Sequence, residues 1–175
     1  EFYHTWKNEK AKYPAFLDDY AFLIQAMIHL QEITGDTGWL TRAAAITRYV
    51  IDHFSEETTP FFFYTPVGQT DVIVRKKEVY DGAVPSGNSV MAYNLYQLSI
   101  LTGAKEWHQR SLDMLAQLGQ AVVKYPTSFG NWVCLMQEVV SGTNETAITG
   151  KETAVLWAEV LREYIPHRVF MMTEK

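Results

Sequence analysis

The sequence predicts a mainly α fold of stacked helical hairpins, with a small β element in its middle and a βαβ unit at its C-terminal end. Three observations predict it. Apolar residues recur at helical spacing in five successive stretches between residues 18 and 143. The signature Thr-Gly followed by Trp occurs at Thr34-Gly35…Trp39 and again at Thr102-Gly103…Trp107, an offset of 68 residues. The chain then changes over residues 144–175 to strand, helix and strand character, which divides it into a helical-hairpin part, 1–143, and a βαβ element packed on it.

Residues 1–15 are mixed and end at Tyr13-Pro14-Ala15, an approach strand or loop. A helix is expected from about Asp18 to Thr34, with Leu23, Ala26, Met27, Leu30 and Ile33 as its packed stripe. Phe22, Ile24 and Ile28 widen that stripe nearly all round, as in an inner helix touched on several sides. Gly35-Asp36-Thr37-Gly38 ends it, and a second helix runs to Phe54 through Ala43, Ile46 and Val50. So short a turn makes the two antiparallel neighbours. Phe61-Phe62-Phe63-Tyr64 and Val72-Ile73-Val74 read as a small hairpin or extended loop. A third helix is expected from Asn88 to Thr102 (Met91, Leu95, Leu98, Leu101) and a fourth from Glu106 to Tyr125. Phe129, Trp132, Val133, Met136 and Val140 mark a fifth. In the tail, Thr146–Thr149 and Val169–Met172 read as parallel strands around a helix from Glu152 to Tyr164, with Ala154, Trp157, Ala158 and Leu161 inward.

Composition narrows the function classes. The chain is 47% apolar with 14% aromatics, the profile of a globular domain large enough for a substantial core. Its net charge is −5, and Arg75-Lys76-Lys77 is followed at once by Glu78, so no nucleic-acid footprint is indicated. No apolar run is long enough to span a membrane. The lone Cys134 reads as a buried small residue, which fits a reducing, cytoplasmic setting. The start, Glu1-Phe2-Tyr3, resembles neither a signal peptide nor a natural beginning, so the chain reads as part of something longer.

Two polar, turn-forming stretches precede helices at equivalent places in the repeat. They are Asp18-Asp19-Tyr20 and Tyr80-Asp81-Gly82 through Pro85-Ser86-Gly87-Asn88-Ser89. A hairpin repeat cannot bury its faces alone, so it stacks into a solenoid or closes into an α/α toroid. Its inner helices then run the same way, and the stretches before them meet at one mouth. Asp19 and Asp81 become candidate catalytic carboxylates, as acid and base around a sugar, with Asp18 beside them. Tyr20, Tyr80 and Trp6 are candidates to stack on sugar faces, and Ser86, Asn88 and Ser89 to bind hydroxyls. Taken singly, each carboxylate equally reads as a helix cap or a tie for the Gly82 turn. No metal-ligand spacing joins Cys134 and the five histidines, and no cofactor is indicated. A dinucleotide fingerprint fails at Thr149-Gly150-Lys151, and Ser86 lacks a nucleophile elbow.

The motifs Pro14-Ala15-Phe16-Leu17-Asp18-Asp19-Tyr20-Ala21, Arg75-Lys76-Lys77-Glu78, Tyr80-Asp81-Gly82-Ala83 and Pro85-Ser86-Gly87-Asn88-Ser89 occur in that order. Together they resemble the C-terminal part of the YyaL-like, spermatogenesis-associated thioredoxin-domain-containing family. That resemblance implies a six-hairpin (α/α) toroid related to glycosidase folds, preceded by a thioredoxin-like domain, with the first hairpins missing from this chain. It implies a carbohydrate-binding or glycoside-processing fragment, or else a non-catalytic scaffold for the thioredoxin-like domain or a client protein. Apolar hairpin faces left open would favour self-association.

Overall fold

A computed structural model describes residues 2–69 and 73–174. Strands β1 (Tyr3–Lys7) and β2 (Lys10–Pro14) form an antiparallel hairpin, with Tyr3 opposite Pro14 and Lys7 opposite Lys10. Asn8 and Glu9 both take positive φ, as a two-residue hairpin turn requires. The first helical pair is α1 (Leu17–Thr34) with α2 (Gly38–Phe54), and the second is α3 (Gly87–Thr102) with α4 (Lys105–Lys124). A 3-10 turn, Pro126–Ser128, leads into α5 (Gly130–Ser141). The tail is β3 (Asn144–Gly150), α6 (Thr153–Arg162) and β4 (Arg168–Glu174), its strands parallel with Asn144 beside Arg168 and Gly150 beside Glu174.

The two hairpins are built alike. Gly35 (φ 69°) and Gly103 (φ 75°) close α1 and α3 in the left-handed conformation, donating to Gln31 O at 2.7 Å and Ser99 O at 2.8 Å. The threonine before each glycine returns its hydroxyl to the preceding turn, Thr34 to Leu30 O and Thr102 to Leu98 O, both at 2.6 Å. The repeated signature is therefore a helix stop.

The core lies where α3 meets α1, α4 and α5. Most of α3 is buried, because neighbours press on it from three sides. Asn94 donates to Ala21 O at 2.8 Å, and the Asp18 carboxylate accepts from the Gly87 backbone, so α1 and α3 lie side by side with their starts at one end. The tail docks at the other end of α1: Gln31 donates to Phe170 O at 3.0 Å and Arg168 to Glu32 at 2.8 Å.

Several expectations need correcting. On α1 the buried residues are Leu17, Tyr20, Ala21, Ile24, Ile28 and Gln31, whereas Phe22, Leu30 and Ile33 face outward. The helix is apolar nearly all round, so periodicity could not say which side is covered. The small β element is the N-terminal hairpin rather than residues 55–84, where no strand forms among the described residues. The backbone of the aromatic run instead bonds to scattered partners: Phe63 N–H to Phe54 O and Tyr64 N–H to Lys76 O. Phe61 and Phe62 are buried, so the run packs; Val72, assigned to the second β-prone run, lies outside the described residues. Cys134 is exposed, as is Val140, because α5 buries Trp132, Leu135 and Glu138 instead. On α6, Trp157 is buried against Phe170, while Ala154 and Ala158 are exposed.

Candidate functional site: the shared mouth of α1 and α3

Two helix starts, those of α3 and α5, meet at the Asp81 loop. Asp81 Oδ1 accepts from Ser86 N–H at 2.9 Å and Ser86 Oγ at 3.3 Å, with Ser89 Oγ at 2.7 Å. Its Oδ2 accepts from Asn131 N–H, in the first turn of α5, at 2.8 Å. Three of these four bonds fall on Oδ1 and one on Oδ2, so both oxygens of the carboxylate are engaged. Asp81 thus ties α3 to α5. Ser86 caps α3 by accepting from Ser89 N–H at 3.2 Å, and Ser89 Oγ accepts from Asn131 Nδ2 at 3.2 Å.

Asn88 is buried and all its hydrogen-bonding capacity faces backbone. It accepts from Phe62 N–H at 2.8 Å and donates to Phe62 O at 2.9 Å and Glu78 O at 2.8 Å. Tyr80 is exposed and packs on Phe129. Tyr20 is buried, its hydroxyl accepting from Phe2 N–H at 3.1 Å and its ring lying against Phe2, Tyr49 and Phe54.

The Asp18-Asp19 pair faces a different neighbourhood. Asp19 Oδ2 accepts from Phe16 N–H at 2.8 Å, the return half of a capping box, and lies 2.8 Å from His4 Nδ1. Burial pushes the Asp18 carboxyl above its usual 3.8; the bond from Gly87 opposes this, and the charges of Asp19 and Glu78 add to it. Burial, followed by the charges of Asp18 and Asp19, also raises the Tyr64 phenol. Asp18, Asp19 and Tyr20 line a pocket of about 400 Å³ with Phe2, Tyr3, Phe22 and Leu23. Trp6 is exposed on β1 and is not among the lining residues. The structure therefore brings Asp18, Asp19 and the Asp81 loop to one end of the molecule. Of the predicted site residues, Asp18, Asp19 and Tyr20 line this pocket. The contributions of Phe2 and Tyr3 carry no motif; only the hairpin, folding back so that Phe2 O accepts from Ala15 N–H at 3.0 Å, brings them there.

A second polar cluster lies where the tail docks, and sequence reasoning missed it. His29, Glu32, Tyr93, Gln97, His167 and Arg168 face one pocket of about 340 Å³. Glu138, fully buried behind them, accepts from the Tyr93 hydroxyl and, at 2.9 Å, from Thr143. Burial first, and then Glu138, raises the Tyr93 phenol. These residues come from α1, α3, α5, the turn after α5, and β4 with the residue before it, so no local spacing announces them. Among the described residues no group of His, Cys, Asp and Glu is arranged to hold a metal, and no helix is long and apolar enough to cross a membrane.

No family model matches the chain. It is 29% identical over 164 residues to spermatogenesis-associated protein 20 of Rattus norvegicus, and 27% identical to the proteins of that name from Mus musculus and Homo sapiens. Each match covers 91% of this chain but 21% of the relative, so the chain spans about a fifth of the length of these curated relatives. Over nearly all of its own length, then, the chain is similar to spermatogenesis-associated proteins, matching the family that its Asp18-Asp19-Tyr20-Ala21 and Pro85-Ser86-Gly87-Asn88-Ser89 motifs resemble.

Proposed function

We propose that the chain is part of an α/α-toroid protein and carries a carbohydrate-binding mouth, with its sugar contacts at the pocket beside Asp18 and Asp19. The observation carrying this reading is the lining itself: two carboxylates set against Phe2, Tyr3 and Phe22 in about 400 Å³. Aromatic faces pack on the C–H faces of sugar rings, while carboxylates accept from hydroxyls. If glycoside chemistry occurs there, Asp18 suits the proton donor, since burial favours its neutral form. Asp19, held in place by Phe16 N–H and His4, is the second carboxylate at the pocket. Asp81, Ser86, Asn88 and Ser89 serve this reading by fixing the mouth, because their polar atoms are engaged with one another and with backbone.

Screening the chain against immobilised oligosaccharides tests this, with Tyr3→Ala and Asp18→Asn as variants. Binding should weaken about tenfold in each, equivalent to about 1.4 kcal/mol. Asp18→Asn should remain folded, since the raised Asp18 pKa means that ionisation costs stability as pH rises above 3.8, a cost the amide does not carry. No binding to any glycan, or binding indifferent to both changes, would remove the reading. A second reading, a non-catalytic scaffold for the thioredoxin-like domain or a client, is favoured by the apolar face that α1 leaves open.

A further inference from the structure

The pocket where the tail docks lies at the far end of α1 from Asp18 and Asp19, and one side chain in it is left incomplete by the protein. Gln97 of α3 is 8% exposed and lines this pocket, yet its amide makes no hydrogen bond among the described residues. The other buried amides, those of Gln31, Asn88 and Asn94, all donate to backbone carbonyls. A buried amide with no protein partner calls for one from outside. The groups beside Gln97 are acceptors. Tyr93 donates its hydroxyl proton to Glu138, which leaves the phenol oxygen free to accept. His29 Nδ1 lies 3.4 Å from Glu32 Oε2, and His167 Nδ1 lies 3.9 Å from Glu138 Oε2. A carboxylate only accepts, so each Nδ1 carries the proton and each neutral ring keeps Nε2 as an acceptor.

We propose that this pocket binds a small organic cation bearing a primary ammonium, received by Gln97, the Tyr93 oxygen and the two imidazoles in front of the buried Glu138. Charge selects this class. Glu138 is fully buried, and both its oxygens accept, from Tyr93 and Thr143, as those of an ionised carboxylate do. With Glu32 it sets two negative charges against the single guanidinium of Arg168, which bonds Glu32 at 2.8 Å. An anion would meet acceptors and a surplus of negative charge, and a neutral polyol would leave that surplus unmatched. An ammonium offers only donors and brings the missing positive charge. Tyr164, exposed at the rim of the pocket, adds a ring face that attracts a cation. A volume of about 340 Å³ admits a short-chain amine. The site shares no residue with the pocket beside Asp18 and Asp19, and the inference does not depend on carbohydrate binding.

Calorimetric titration of the chain with n-butylammonium tests it, with butyrate and n-butanol as uncharged-or-anionic probes of the same length. The expected result is binding of the ammonium alone, weakened about tenfold in Gln97→Leu. Gln97→Leu keeps the side chain's bulk and removes an amide that the protein leaves unpaired, so its denaturation midpoint should not fall below the parent's. His29→Leu, at a side chain that is 54% exposed, removes a second acceptor without opening the core and should weaken binding similarly. In proton NMR the imidazole signals of His29 and His167 should move on titration, while that of His4, beside Asp19 at the other pocket, should stay. Absence of ammonium binding would overturn the proposal, as would butyrate or n-butanol binding equally well. Equal affinity in Gln97→Leu and the parent would do the same, and so would a shift confined to His4, which would put the amine at the other pocket.

Discussion

Asn88 stands at the first buried turn of α3 and serves a loop 26 residues earlier in the chain. Its single amide satisfies both backbone groups of Phe62 and the carbonyl of Glu78. Removing it leaves both backbone groups of buried Phe62 without this partner, each costing about 1 kcal/mol or more, while the Glu78 carbonyl lies where water can reach it. Asn88→Ala should therefore destabilise the chain by about 2 kcal/mol in urea titration. Ser86→Ala, which removes a cap, should cost about 1 kcal/mol. A smaller loss for Asn88→Ala than for Ser86→Ala would show that the loop has other support. The sequence marks these residues as special through their polarity beside Gly82 and Gly87. It cannot say whether a short polar side chain turns towards a ligand or towards its own backbone. That choice depends on where Phe62 lies, which is a tertiary matter.

The helical hairpin is the element whose ends were written most plainly. Thr34-Gly35 and Thr102-Gly103 stop their helices by the same two bonds, so a local signal had a local cause. Both glycines take a left-handed conformation that costs about 1 kcal/mol or more with a Cβ present. Gly103→Ala should show that cost alone, because nothing lies within 4 Å of the added carbon. Gly35→Ala should lose more, because the new carbon would meet the Met172 side chain on β4. Thermal melts of the two variants would rank them, and equal losses would mean that the tail yields freely at Met172. Faces were harder to read than ends. The stripe Leu23, Ala26, Met27, Leu30, Ile33 is apolar at helical spacing, yet α3 covers the opposite side of α1.

At the scale of the whole molecule, the C-terminal unit is held to the hairpins by a few polar contacts, chief among them Arg168 with Glu32. Burial by itself would raise the Glu32 pKa. The bond from His29, with the charges of Arg168 and His29, outweighs it and holds the carboxyl below 4.5. The native state therefore favours the ionised form, so the stability Glu32 contributes is present above pH 4.5 and lost as pH falls through its native value. Arg168→Met should cost about 1 kcal/mol at pH 7. Its deficit should shrink on acidification below 4.5, read as converging denaturation midpoints of variant and parent. A deficit that stays constant across that range would mean that Arg168 acts through its packing on Phe170 instead.

Residue order by itself determined that this chain is mostly helical, where its helices stop, that two hairpins repeat, and that a strand–helix–strand unit follows. All of these depend on backbone preference and periodicity within a few turns. Only the tertiary structure decided which side of α1 is covered, that Asp81 and Asn88 spend their polar atoms bracing loops, and that Phe2 and Tyr3 join Asp18 and Asp19 at one pocket. It also decided that His29, Tyr93, Glu138 and His167 converge. The physical reason is that burial and hydrogen-bond partners belong to pairs of distant segments, and an all-round apolar helix or a short polar side chain suits more than one neighbour until the packing chooses.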